Sequence, residues 1–410
     1  MRILQINNCH YRRGGADIVY LNTGKLLEEH GHMVCYFSQE NIKNEETKFS
    51  NYFIKEADFF GKSFIQKIYS IPRFFYSFEA KNSISKLLND FKPEVAHIHL
   101  YKGILTPSIL KKLKEHKIPV IITLHDYGLL CPHNLMLDGK MNICKRCINA
   151  SALNCVFHKC NRNSLILSTV SSIEFIFHKT FFPFLKYFDK IIAVSKFGTE
   201  IHQESNEFKD KIDFLYNFYP ELDKTKINSK KGSYFLYLGR LSAEKGINTL
   251  ITAWVSKERE SKLKVVGTGE LFVELNDLTT KNDSIELLGF KTGIELINLI
   301  KNASFIIVPS EWYENNPLTI IEAFSNGKPV IGSNVGGIPE LIINNKTGFV
   351  FTTKNTSELS DIITTAEKMD DKTYSDFSFR CRKFAEDNFS DKNHYNNLID
   401  IYTKVINDNK

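Results

Sequence analysis

The chain opens on a short apolar run in MRILQINN, passes through the glycine pair of YRRGGAD, takes a helical period in IVYLNTGKLLEEHGH, and returns to an apolar run in MVCYFS. That order predicts strand, loop, helix and strand. Further apolar strands are expected at Val95–His99, Val120–Thr123 and Ile191–Val194, separated by helical patterns. Runs that are apolar at every position, rather than alternately, belong to parallel sheets covered on both faces. A second series begins near Tyr234 with YFLYLGR and continues through LKVVGTG, IELLGF, ASFIIVPS, KPVIGS and TGFVF. The predicted fold class is α/β, with two tandem doubly wound, Rossmann-like sheets. Between the series, YNFYPELDKTKINSKKG (Tyr216–Gly232) is polar, carries a proline and lacks periodicity, so it marks the boundary. Residues 1–215 are expected to form a first domain and 216–388 a second, with a cleft between them. Residues 389–410 read as one amphipathic helix expected to pack back on the first domain.

Length supports this division, because 410 residues exceed what one hydrophobic core usually organises. No apolar run approaches bilayer length, and the first residues lack the apolar core and cleavage site of a secretory signal; a cytoplasmic protein is expected. The net charge of +6 is uneven. Residues 1–217 carry 29 Lys+Arg against 21 Asp+Glu, and 218–410 carry 24 against 26. The basic first half suits either scattered surface lysine or an anionic partner such as a membrane surface. No nucleic-acid motif or dense basic stripe is present, which excludes a nucleic-acid partner from the expectations.

The chemistry concentrates in the second half. In WYENNPLTIIEAFSNGKPVIGSNVGG (312–337), Glu314 and Glu322 flank Pro317. Proline suits a first helical turn, with Asn315 or Asn316 as its cap, so Glu314 is expected in the loop and Glu322 on the second turn. The amides of that turn, at Leu318 and Thr319, would offer an anion site at the carboxyl end of the strand FIIVPS. Upstream, Gly239-Arg240 ends a strand and Lys245-Gly246 opens a helix. Arg240 can fork two phosphate oxygens while Lys245 supplies a compact charge, although both could equally be surface charges beside a turn.

Together GGAD (14–17), TLHD (123–126), AVSKFG (193–198), LGRLSAEKG (238–246), VVGTGE (265–270), LLGF (287–290) and the block from Pro309 to Gly348 resemble the family 4 glycosyltransferases of the GT-B fold. The resemblance implies a retaining transferase that uses a nucleoside-diphosphate sugar without a catalytic metal. It assigns the ribose hydroxyls to Glu322, the transferred sugar to Glu314, and the diphosphate to Arg240 and Lys245. Asn316, Leu318, Thr319, Gly239 and the Gly14–Gly15 loop are implied close by, and His125 would reach the sugar. Asp126 could cap or act as an acceptor-side base, and Ser195 could be part of a family turn in the cleft or a helix cap. The implied acceptor is a glycan or a lipid-linked saccharide of bacterial surface polysaccharide, such as lipopolysaccharide or capsule, handled at the inner face of the cell membrane. Two alternatives keep the fold: a non-catalytic partner subunit, or another enzyme such as a sugar-nucleotide epimerase or a glycogen-type phosphorylase. The motifs do not choose between UDP and GDP. The sequence departs from the family at Tyr216-Asn217-Phe218-Tyr219, where relatives carry Asn-Gly.

Five of the eight cysteines crowd into the insertion 131–160. Cys144-x2-Cys147 has metal-knuckle spacing, so a structural zinc on Cys131, Cys144, Cys147 and Cys160, with Cys155 as alternate, is expected, and free thiols are the alternative. Cys9, Cys35 and Cys381 read as small core residues. Two aromatic segments, 59–78 and 175–190, mix Phe and Tyr with Lys and Arg; they read as core helices with snorkelling lysines or as an interfacial surface.

Overall fold

A computed structural model describes the chain except residues 57–71, 206, 209, 210, 221, 223–226, 280, 281 and 410. Most of the aromatic segment 59–78 therefore lies outside the described residues. The first unit comprises Met1–Leu215 and His394–Lys410, and the second Tyr216–Asn393.

The first unit holds a parallel sheet of β1 (Arg2–Ile6), β2 (Met33–Phe37), β3 (Val95–Ile98), β4 (Val120–Leu124), β5 (Lys190–Ala193) and β6 (Ile212–Phe214), in the order β2-β1-β3-β4-β5-β6. β4 is buried at every position, as a strand covered on both faces must be. The helix Asp391–Asp408 supplies Leu398, Tyr402 and Val405 to the same core as Ile3, Tyr20 and Ile121. Its Tyr395 ring stacks on His30 at 3.7 Å.

The second unit repeats the plan with β7 (Tyr234–Leu238), β8 (Lys262–Val266), β9 (Ile285–Gly289), β10 (Ile306–Val308), β11 (Val330–Ser333) and β12 (Gly348–Phe351), ordered β12-β11-β10-β7-β8-β9 and parallel throughout. Side chains alternate along β7: Phe235 and Tyr237 enter one core, Tyr234 and Leu236 the other. Strand order reverses between β7 and β10, which makes the carboxyl ends of these two strands the topological switch point of the sheet. Open α/β sheets bind ligands at such a switch point.

Among the described residues no helix is long and apolar enough to cross a membrane.

Candidate functional site

The loops after β7 and β10 meet backbone to backbone. Gly246 adopts φ +68, and a Cβ there would lie 1.8 Å from the Pro309 carbonyl oxygen. Gly336, at φ +60, is pressed against Glu314, whose oxygen and nitrogen would lie 2.4 and 2.6 Å from a Cβ. Both positions demand the left-handed region and no side chain. The Glu314 carbonyl also accepts from the N–H of Gly337 at 2.7 Å. The Asn-Val-Gly-Gly turn therefore fixes the backbone of Glu314.

The Glu314 side chain is 7% exposed. Its Oε1 accepts from Lys245 Nζ at 2.6 Å and from Ser310 Oγ at 2.7 Å. Burial alone would raise this carboxyl, but the Lys245 charge, with the hydrogen bonds from Lys245 and Ser310, holds it below the ordinary range. Lys245 also lies over the Trp312 ring, 4.8 Å from its centroid. The two residues that the family resemblance assigns to different parts of the donor are thus one ion pair. Ser310, which the sequence reading does not single out, is its third member.

The helix Leu318–Ser325 corrects the expected capping. Pro317 sits at the N-cap with φ −66 and ψ 116, and no side chain caps the turn. Asn316 is turned away from that duty because its Oδ1 accepts from the Asn217 N–H at 3.1 Å. Its buried Nδ2 donates to nothing among the described residues. An orphaned buried amide is costly, and a helix start without a cap is an anion site. Thr319 Oγ1 reaches back to the Leu238 carbonyl of β7 at 3.4 Å.

Glu322, one turn further, is half-buried, and its carboxylate makes no hydrogen bond or ion pair among the described residues. Burial raises its pKa from 4.5 to about 7. Arg240 follows Gly239 at the end of β7 and is exposed, without an ion-pair partner among the described residues. The switch point thus carries a free guanidinium, an uncapped helix start, an orphaned amide and an unpaired acid.

In the first unit, Gly14 and Gly15 begin the helix Gly15–Glu29, again with no side-chain cap on its first turn. Asp17 is buried there and accepts from Asn7 Nδ2 at 2.8 Å. Ser195 is the N-cap of the helix Lys196–Gln203, accepting from the Gly198 N–H at 2.8 Å. Asp126 Oδ1 accepts from the Gly128 N–H at 2.8 Å.

His125, just past β4, ends a buried chain. Gln5 Nε2 donates to the Tyr402 hydroxyl at 3.3 Å, and that hydroxyl meets His97 Nδ1 at 2.6 Å. His97 Nε2 then meets Thr123 Oγ1 at 2.7 Å. The Gln5 carbonyl faces His99 Nε2 at 3.0 Å, and His99 Nδ1 faces His125 Nε2 at 2.9 Å. With the Gln5 oxygen as acceptor, His99 carries its proton on Nε2 and must accept from His125. His125 Nδ1 is then a bare acceptor. The sequence signal for this chain is His97 on a buried strand and His99 just past its end, where a parallel sheet ordinarily carries apolar residues.

Burial lowers the pKa of His125 and His97 to about 3 and that of His99 well below its ordinary value. In an NMR pH titration, none of the three imidazoles is expected to shift between pH 5.5 and 8; a signal from any of them titrating near 6.5 would contradict the chain. Because only the unfolded state takes up these protons, their contribution to stability is complete above pH 6.5 and is lost as pH falls toward 3.

The cysteines expected to bind zinc are not gathered as a ligand set. Among the described residues, no group of three or more His, Cys, Asp or Glu is arranged to hold a metal ion. Instead the Cys160 N–H donates to the Cys155 carbonyl at 3.0 Å and the two thiols pair, which lowers Cys155 to about 7. Burial, with smaller contributions from the neighbouring cysteines, raises Cys131 to about 11 and Cys147 to about 12. The spacing of Cys144 and Cys147 alone speaks for the metal, and elemental analysis of the purified protein would count it directly.

Residues 13–220 match the family described as Glycosyltransferase Family 4, and residues 220–384 match Glycosyl transferases group 1. The chain is 24% identical over 363 residues to an uncharacterized 42.6 kDa protein in the cps region of Klebsiella pneumoniae, covering 83% of this chain and 87% of the relative. Over 214 residues it is 29% identical to the UDP-Gal:alpha-D-GlcNAc-diphosphoundecaprenol alpha-1,3-galactosyltransferase of Escherichia coli, covering 47% and 52% respectively. Anabaena HepE, solved in complex with UDP and glucose, shares the fold with a TM-score of 0.67 at 16% identity, covering 98% of this chain and 99% of that one.

Proposed function

The chain belongs to glycosyltransferase family 4, with the GT-B fold, and from that premise we propose that it moves a sugar from a nucleoside-diphosphate donor to a glycan or lipid-linked acceptor of a bacterial surface polysaccharide. It does so with retention of anomeric configuration and without a catalytic metal. The observation that carries this reading is the unpaired, half-buried Glu322 beside an uncapped helix start.

Glu322 accepts hydrogen bonds from both ribose hydroxyls, a duty that needs an acid with no other partner. Arg240 forks the diphosphate, and the amides of Leu318 and Thr319 with the orphaned amide of Asn316 complete its cradle. Lys245 leaves part of its charge with Glu314 and gives the rest to the phosphates. As the sugar–phosphate bond breaks, negative charge grows on the leaving diphosphate, and these fixed cations and amides stabilise it more in the transition state than in the ground state. Glu314, held ionised by Lys245, accepts from the hydroxyls of the transferred sugar. The family resemblance implies a further acceptor for the sugar at His125, which is neutral at Nδ1, and further amides for the phosphates at Gly14 and Gly15. The Klebsiella relative in a cps region and the Escherichia coli transferase, whose name gives a lipid diphosphate acceptor, support the polysaccharide setting.

The test is transfer in the presence of a chelator, with the product linkage read by NMR. An α-linked product from an α-linked donor, at an unchanged rate, is expected; loss of turnover on chelation or an inverted product would refute the mechanism. Turnover of the donor without any acceptor would favour the epimerase.

A further inference from the structure

The helix Leu165–Phe181 is turned inside out. Its buried positions are Ser168, Ser171, Ser172, Glu174, Phe175 and His178. Each polar one has a partner: Ser168 Oγ accepts from the Asn161 N–H at 3.0 Å, Ser171 from Asn161 Nδ2 at 2.9 Å, and Ser172 donates to the Ala152 carbonyl at 3.0 Å. Glu174 lies 2.7 Å from His178 Nδ1 and 3.5 Å from Lys102, and His178 Nε2 meets the Phe75 carbonyl at 2.8 Å. The outward face is largely apolar: Ile166 is 75% exposed, Ile173 51% and Phe181 64%, with Leu165, Ile176 and the exposed Thr180 between them. At about 100° per residue these share one half of the helix circumference, and no charged residue falls among them. Phe157, on the neighbouring turn Asn154–Phe157 that packs on this helix, is also exposed.

A monomeric surface ordinarily shows the opposite polarity, and contiguous exposed apolar patches mark interaction sites. The flanks of this patch are basic. Lys159, Arg162 and Lys186 are exposed, Lys179 is exposed and paired with Glu207 at 2.7 Å, and the one acid from 153 to 188, Glu174, is buried and paired. Apolar side chains ringed by cations are what an anionic lipid surface receives, since the acyl boundary takes the first and the headgroups the second. A second copy of the chain fits less well, because a two-fold contact would set the same cations against themselves.

We propose that the outward face of the helix Leu165–Phe181 seats the first unit on an anionic lipid surface, with Ile166, Ile173 and Phe181 entering the headgroup boundary and the flanking cations meeting the phosphates. The face lies outside the donor machinery, so it can fail or hold independently of the donor reading.

The experiment is co-sedimentation of the full chain with vesicles of phosphatidylcholine alone and of phosphatidylcholine mixed with phosphatidylglycerol, at low and high salt. Wild type is expected on the mixed vesicles and not on the neutral ones, with binding that weakens in salt. Lys159→Ala with Lys186→Ala should weaken it about thirty-fold, since each basic residue at such a surface contributes roughly a factor of five. Ile166→Glu with Ile173→Glu should abolish it while leaving nucleotide binding and the melting temperature intact, because both side chains are already in water. Equal binding of wild type and the Ile166→Glu, Ile173→Glu variant would overturn the proposal. So would a wild-type dimer in sedimentation equilibrium that the same variant dissolves.

Discussion

Replacing Lys245 with alanine is expected to lower turnover between about a hundred- and a thousand-fold and to destabilise the free protein, two effects from one ion pair. The catalytic loss is that of one fixed donor aimed at a developing charge. The stability loss follows from Glu314. Its carboxyl is kept below its ordinary pKa only because Lys245 and Ser310 offset burial. In wild type this acid contributes stability that is present above pH 4.5 and lost as pH falls through its lowered folded value. Without Lys245, burial prevails and the carboxyl rises instead, so the variant should lose on the order of 2 kcal/mol at pH 8 and much less at pH 4.5. Lys245→Arg should recover part of the stability, since a guanidinium still reaches the carboxylate. Steady-state kinetics alongside denaturant titrations at the two pH values check this. Unchanged turnover would remove Lys245 from the donor site, and a pH-independent stability loss would remove the pair.

Glu322→Gln is expected to act in opposite directions on binding and on folding. Glutamine keeps the shape and loses the charge, so two charge-assisted hydrogen bonds to a ribose diol become neutral ones, and donor affinity should fall about a hundred-fold. The free protein should become more stable at pH 8. Glu322 has a folded pKa near 7 against 4.5 unfolded. Its stabilising contribution is therefore complete below 4.5 and is lost as pH rises through 7, where an unpaired charge must be carried in a half-buried site. The substitution removes that cost, on the order of 2 kcal/mol at pH 8 and nothing at pH 4.5. Wild-type donor affinity should also weaken below pH 7 as Glu322 takes up its proton, and the variant should lack that limb. Calorimetry and thermal melts over pH 5 to 8 test both halves. If the variant binds donor as tightly as wild type, the ribose assignment is wrong.

The fold was legible because its punctuation is local. Apolar runs closed by Gly239, Gly267 and Gly289 declare buried parallel strands, and the spacing of Glu314, Pro317 and Glu322 declares a loop and a helix start. What escaped the sequence depends on distance. Lys245 and Glu314 pair across 69 positions, and His97 meets Tyr402 across 305, so neither contact has a local signature. The helix caps failed for a related reason: Asn316 could cap its own helix, but the Asn217 backbone claims its oxygen first. The helix Leu165–Phe181 shows a further limit. Periodicity reveals two faces but does not say which one turns inward, and here hydrogen bonds to Asn161, Ala152 and Phe75 and an ion pair with Lys102 draw the polar face in. The crowding of cysteines between 131 and 160 signalled a staple, whereas the burial of Cys131, Cys155 and Cys160 follows from packing that spacing cannot express.

The central claim is that the loops after β7 and β10 hold a nucleoside-diphosphate sugar. It is tested most directly by calorimetric titration of wild type and Arg240→Ala with UDP-, GDP-, ADP- and dTDP-sugars in the absence of added metal. Tight binding of one nucleotide class by wild type, weakened at least thirty-fold or so by loss of the forked phosphate contact, is the predicted result. Failure of every donor to bind, or binding that Arg240→Ala leaves untouched, would contradict it.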